Sequence, residues 1–143
     1  MFEYVMYTSF SKSKISNEDL RELLSKSREW NSRENISGLL IYRFNEEFNR
    51  GNFLQLVEGP KKSIIKVWPR ISRDSRHHTI TVLEEGTYDQ RIFPTWSMGF
   101  KNLNDQYFMG LPGFLELTDE SFWANIANLK PRAFQLLKNF YDT

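Results

Sequence analysis

Apolar and polar positions alternate at the start of this chain. In "FEYVMYTS" (2–9), Phe2, Tyr4 and Met6 fall on one side of an extended segment and Val5 and Tyr7 on the other, which predicts a first strand. The period then lengthens. "SNEDLRELLSKSREWN" opens with Ser16, carries Asp19 three residues on as in a capping box, and repeats Leu20, Leu23, Leu24, Ser27 and Asn31 at helical spacing. A helix therefore shows leucines and then two small polar residues on one face. "ISGLLIYRF" (36–44) and "NFLQLVE" (52–58) return to strand character as a hairpin around the polar loop "NEEFNRG", and Pro60 ends the second of them. Ile64, Val67 or Trp68, and Ile71 in "KKSIIKVWPRISRD" predict a second helix, with a kink at Pro69 where an N–H is missing. "HTITVLEEGTY" (78–88) and "TWSMGFKNL" (95–103) read as two further strands.

The order βαββαββ places two helices on one face of a sheet. Strand three is apolar on both faces, Phe53 and Val57 against Leu54 and Leu56, so the second face also needs a cover. Two amphipathic helices in the tail can supply it. One follows Thr118 and Asp119 with Phe122, Ile126 and Leu129 aligned; the other opens at Pro131 with Phe134, Leu137 and Tyr141 aligned. A dimer interface would serve equally. The expected fold class is α+β: a ferredoxin-like βαββαββ mixed five-stranded sheet, two helices on one face and the C-terminal helices on the other.

Composition narrows the chemistry. The 143 residues suit one domain, and 19 Lys+Arg against 18 Asp+Glu give a net charge of +1, so binding by bulk charge to nucleic acid or anionic membrane is disfavoured. With no cysteine, disulfides and thiolate chemistry are ruled out. No long apolar run and no leader pattern is present, which leads us to expect a soluble, cytoplasmic protein. Twelve Phe predict a Phe-rich core.

Common catalytic motifs are missing: there is no GxGxxG, no P-loop and no HExxH. His77 and His78 lack the spacing of a metal pair on a helix and read as a solvated loop after the second helix. "RISRDSRHH" is basic but lacks the aromatic pattern of RNA-binding sheets of this strand order. What stands out is a set of polar residues on apolar faces: Tyr7, Ser27, Asn31 and Gln55. Singly they are ordinary, as a tyrosine with its hydroxyl at a rim, an asparagine capping a helix, or a glutamine on an edge strand. If strands one and three are neighbours, Tyr7 and Gln55 converge beneath the first helix, and a buried polar cluster needs partners.

"YVMYTS", "SREWNSRENISGLLIY", "FLQLVEGP", "RISRDSRHH" and "FPTWSMGF" together resemble, in order and approximate spacing, the BLUF domains, blue-light sensors that use FAD. The resemblance runs from about residue 2 to 103. It implies a flavin held non-covalently between the two helices, without a dinucleotide-binding glycine motif. It gives Tyr7 the place of the photoactive tyrosine and Gln55 that of the switching glutamine. Asn31 matches the asparagine bonded to the ring and Ser27 a polar position beside it. Trp96 and Met98 match a signal-relay pair, and Arg70 and Asp74 match positions near the ribityl-phosphate and adenine part.

On this resemblance we expect a flavin-binding domain over 1–103 and a helical cap over 104–143. Light-driven electron and proton transfer from Tyr7 would rearrange the Gln55 hydrogen bond and alter contacts with a separate signalling protein or within a homo-oligomer. The expected protein is not an enzyme and has neither nucleic acid nor membrane as partner. The alternatives are a small flavin-dependent or acylphosphatase-like enzyme, and a light-insensitive ligand- or RNA-binding module. Three features depart from the family pattern. Trp30 stands where many members have Asn, leaving rim stacking, plain packing or competing electron donation as its role. The loop before "FLQLVEGP" is longer than is common, and Pro69 interrupts helix two next to Arg70.

Overall fold

The computed structural model describes residues 1–94, 98–102, 124, 127 and 129–142, with the backbone alone for 100–102. The elements run β1 (Phe2–Ser11), α1 (Asn17–Arg33), β2 (Ser37–Asn45), β3 (Arg50–Gly59), α2 (Lys61–Arg73), β4 (His77–Tyr88), β5 (Gly99–Asn102) and α3 (Pro131–Asp142). The four long strands are antiparallel in the order β4-β1-β3-β2, and the short β5 lies parallel to β2 at that edge. β1 and β3 are therefore neighbours, with Tyr7 directly opposite Gln55 and Gln55 opposite Leu40 on its other side.

Several boundaries differ from those the residue pattern suggests. The hairpin strands pair as far as Asn45 and Arg50, which leaves only 46–49 as the loop. Ladder hydrogen bonds come from the backbone, so polar side chains pointing to water do not stop the pairing. Asn49 at φ 48° and the Asn45 side chain, accepting the Phe48 N–H at 3.2 Å, close the turn. β5 is confined to Gly99–Asn102, and most of the helix expected over 119–129 lies outside the described residues.

α1 begins as its sequence indicates, with Ser16 Oγ accepting the Asp19 N–H at 3.1 Å. It ends two residues beyond Asn31. Asn35 takes the left-handed conformation (φ 58°) and the Ile36 N–H returns to the Asn31 carbonyl at 2.8 Å, the geometry of a Schellman closure. The terminating asparagine is thus Asn35, and the Asn31 side chain stays inside. α2 continues through Pro69 to Arg73. Ile65, whose carbonyl loses its i+4 partner, and Pro69 are both on the exposed face, where water can take the missing donor's place.

Apolar residues form one layer on each side of the sheet. Val5, Leu40, Phe53 and Val57 meet Leu20, Leu23 and Leu24 of α1 and Ile64 and Val67 of α2. On the other side Tyr4, Met6, Leu39, Ile41, Leu54 and Leu56 meet Ile92, Phe93 and, from the C-terminal part, Leu129, Ala133 and Leu137. Of the two tail helices expected as the cover, α3 is in place. No described helix is long and apolar enough to cross a membrane.

The β2–β3 contact is close at Gly38, where an added Cβ would sit 2.0 Å from the Leu56 carbonyl oxygen. Because that neighbour is backbone in the middle of a strand, it cannot turn aside. Gly38→Ala is expected to destabilise the protein by about 1–3 kcal/mol, read from urea unfolding; an unchanged midpoint would show that the two strands separate more easily than this packing implies.

Candidate functional site

Between α1 and α2 the sheet floor opens into two adjoining hollows, of about 450 and 580 Å³ of empty space. Ser27, Gln55, Ile71, Asp74 and Arg76 line both, so they form one cleft. Tyr7, Leu40 and Phe53 add floor and Leu23 a wall to the first; Trp30, Asn31, Val57, Val67 and Arg70 line the second. Helical spacing explains the α1 wall: one stripe brings Leu23, Ser27 and Asn31 inward, a turn apart. Strand alternation explains the floor, because Phe53, Gln55 and Val57 share a face of β3.

At the bottom, the Tyr7 hydroxyl donates to Gln55 Oε1. Gln55 Nε2 in turn contacts Met98 Sδ at 3.6 Å. Tyr7, Gln55 and Met98 are 3%, 8% and 1% exposed, so water does not compete for this line of contacts. The roles follow from the groups: a phenol needs an acceptor, an amide oxygen provides one, and a thioether accepts only weakly from the amide N–H. Burial, and secondarily the charge of Asp74, push the Tyr7 phenol well above its ordinary range, which keeps the proton on oxygen and directed at Gln55. Trp68 meets the Tyr7 ring edge-on, with centroids 5.4 Å apart.

The mouth of the cleft is charged. Arg70 lies over the Trp30 ring, its guanidinium carbon 4.5 Å from the centroid, a cation–π contact reaching from α2 to α1. Asp74 follows the end of α2 and is held by Arg76, with Nε at 2.9 Å from Oδ1, Nη2 at 2.5 Å from Oδ2 and the Arg76 N–H at 3.0 Å. Burial raises the Asp74 carboxyl, but the hydrogen bonds and charge of Arg76 outweigh it, and the group ends below the usual carboxylate range.

All the described residues singled out from the sequence line the cleft or touch its floor: Tyr7, Ser27, Asn31, Gln55, Arg70 and Asp74 in the lining and Met98 against Gln55. Trp96 lies outside the described residues. The expectation of a solvated loop for the two histidines is corrected: both belong to β4, and only His78 is exposed. His77 lines the first hollow, 6.0 Å from the Tyr7 ring centroid, with Nδ1 2.7 Å from Ser9 Oγ and Nε2 2.6 Å from the Ile71 carbonyl. A carbonyl only accepts, so Nε2 carries a proton. Arg76 was likewise unmarked by the chain pattern; its place next to Asp74 was the one available signal.

A family model described as BLUF, "Sensors of blue-light using FAD", matches residues 2–99. The photoactivated adenylate cyclase subunit beta of Euglena gracilis is 27% identical over 93 residues, which is 64% of this chain and 10% of that protein. The chain thus spans about a tenth of that relative's length. The dark-state structure of BlrB, a BLUF protein, superposes with a TM-score of 0.66 at 23% identity, covering 94% of this chain and 96% of that one. Klebsiella pneumoniae BlrP1, determined with FMN and cyclic diGMP, gives 0.72 at 23% identity over 99% of this chain and 35% of its own. These two likenesses bear on the fold. The family match spans more than half the sequence, and the chain belongs to the BLUF family of blue-light sensors.

The donor set fits the FAD of that family description. An isoalloxazine ring needs apolar walls for its faces, provided by Leu23, Leu40, Val57, Val67 and Ile71, and hydrogen-bonding partners for its edge, provided by Asn31 and Gln55. A diphosphate needs cations, and Lys26, Arg70 and Arg76 stand at the mouth.

The depressed Asp74 carboxyl sets a pH dependence. Its folded-state value lies below its ordinary value of 3.8, so the ionised form contributes stability at higher pH, and this is lost as pH falls through the folded value. Between about pH 5 and about pH 2, wild-type stability should fall more steeply than that of Asp74→Asn. Parallel profiles in urea titrations would show that the Asp74–Arg76 pair contributes nothing to folding.

Proposed function

We propose that this protein is a blue-light receptor that holds FAD non-covalently in the α1–α2 cleft and answers light by reversing the hydrogen-bond polarity of the Gln55 amide. The observation that carries this reading is the buried line from the Tyr7 hydroxyl to Gln55 Oε1 and from Gln55 Nε2 to Met98 Sδ. Bound FAD would supply a ring that absorbs blue light and accepts one electron. Tyr7, neutral and shielded, would give an electron to that ring and its phenolic proton to Gln55 Oε1, which its hydroxyl faces, and both would return to it. Asn31 and Gln55 hold the ring edge, Ser27 supports the same side, and Arg70, Asp74 and Arg76 orient the phosphate and adenine end.

The net change is confined to Gln55. An amide carries a donor at one end and an acceptor at the other, so rotation or tautomerisation exchanges what its neighbours meet. Once an acceptor oxygen replaces the N–H facing Met98, the thioether has no donor, and the contact ends. Released Met98, together with Trp96 as expected from the family pattern, passes the change through the β5 strand and the helical cap to a partner. That partner is a separate signalling protein or a second copy of this chain, in the cytoplasm. We assign no substrate turnover to the chain. The groups that meet at the cleft floor are a neutral phenol and an amide, while Asp74 is engaged by Arg76 and His77 by Ser9 and the Ile71 carbonyl.

The test is spectroscopic. The full chain purified with FAD should show a flavin spectrum that shifts reversibly to the red under blue light; a chain that takes up no FAD, or takes it up without a shift, sinks the reading. Tyr7→Phe and Gln55→Leu should each retain flavin and lose the normal shift. An intact photocycle in either variant contradicts the role given to that residue.

A further inference from the structure

Three residues past Gln55 on β3, and on the opposite face, Glu58 is completely buried. Its Oε1 accepts the Tyr88 hydroxyl at 2.7 Å and the Ile92 N–H at 2.9 Å, and its Oε2 accepts Ser37 Oγ at 2.7 Å and the Phe93 N–H at 2.8 Å. Two donors at each oxygen use the whole acceptor capacity of a carboxylate. Arg91 closes the group, with Nη1 2.8 Å from Ser37 Oγ and Nη2 2.7 Å from the Asn35 carbonyl. Burial, and then the charge of Glu58, push the Tyr88 phenol up, so it remains a donor. A carboxylate so fully enclosed would be costly without these partners.

This knot bears on the cleft through the chain that leaves it. Ile92 and Phe93 are buried in the layer beneath the sheet with Leu129, Ala133 and Leu137. Five residues beyond Phe93, Met98 belongs to the layer above, against Gln55, with its carbonyl accepting Arg28 Nε at 2.8 Å. Ile92 and Phe93 are thus held to the strand that carries the amide, and Met98 is held against the amide itself.

We propose that Glu58 is a positioning residue for the Gln55–Met98 contact, fixing Ile92 and Phe93 to β3 so that the segment beyond them returns Met98 to the amide at a set place. Its consequence for signalling rests on the light-sensing reading; the positioning itself does not. Glutamine cannot substitute. Whichever way the amide turns, its NH2 faces one of the two backbone N–H groups, and that donor is left without an acceptor.

Methyl-labelled methionine NMR on the full chain in the dark, recorded with and without added FAD, tests this, with the Met98 resonance assigned from Met98→Leu. Glu58→Gln should move the Met98 methyl signal and raise amide exchange at Ile92 or Phe93 by at least about tenfold. Tyr88→Phe, which removes a donor but spares both amide bonds, should leave the Met98 signal in place despite some loss of stability. If Glu58→Gln does not fold, Glu58→Asp takes its place with the same readouts, because its shorter side chain cannot hold both the Ile92 and Phe93 N–H groups at hydrogen-bond distance. A Met98 signal unmoved in the variant, or moved equally in Tyr88→Phe, overturns the proposal. Because every measurement is made in the dark, a chain without a light response would leave this result intact, and the reverse holds too.

Discussion

The site depends on one pairing: β1 runs antiparallel beside β3 with Tyr7 opposite Gln55. A slip of one residue would turn either side chain to the other face and separate phenol from amide by the thickness of the sheet. Both neighbours of β3 hold the register, β1 through Tyr7 and β2 through Leu40. The helices then need only cover the correct face. α1 brings Ser27 and Asn31 over it because its leucines are buried on the same stripe, and α2 brings Val67, Arg70 and Ile71.

Covering both faces of β3 makes every buried polar group on it expensive unless paired, and the strand buries two polar side chains. Gln55 on the upper face meets Tyr7 and Met98, while Glu58 on the lower face meets two hydroxyls and two backbone N–H groups. The contrast is chemical. The amide has both donor and acceptor ends and can exchange them; the carboxylate has acceptors alone, all occupied. One strand therefore holds a group able to change beside one that is fixed.

Much of this was legible in the chain. Period-two and period-3.6 patterns located the long elements, Ser16 marked the start of α1, and the two apolar faces of β3 called for the second layer that α3 helps to form. The odd polar residues Tyr7, Ser27, Asn31 and Gln55 marked the cleft before any ligand was named, and the resemblance supplied the flavin. Other features had no local signature. His77 is drawn into the lining of the cleft by β4 pairing with β1, which no adjacent residue encodes, so its basic neighbourhood read as loop. Glu58 has no signature in the chain because two of its donors are backbone N–H groups, which every sequence has. The turn at 46–49 was overestimated because backbone pairing persists under polar side chains.

The same register gives the proposed switch an economy of movement. With Gln55 held between Tyr7 and Leu40 by ladders on both sides, its backbone has nowhere to go, and the freedom left at that position is in the side chain. In the light-sensing reading, a record of illumination kept there is written without breaking a strand and erased without remaking one. How long it lasts is then governed by the barrier for a single buried amide and the quality of its hydrogen bonds, not by any refolding of the sheet. Small changes in what surrounds Gln55 would tune the duration of that memory while leaving the architecture alone.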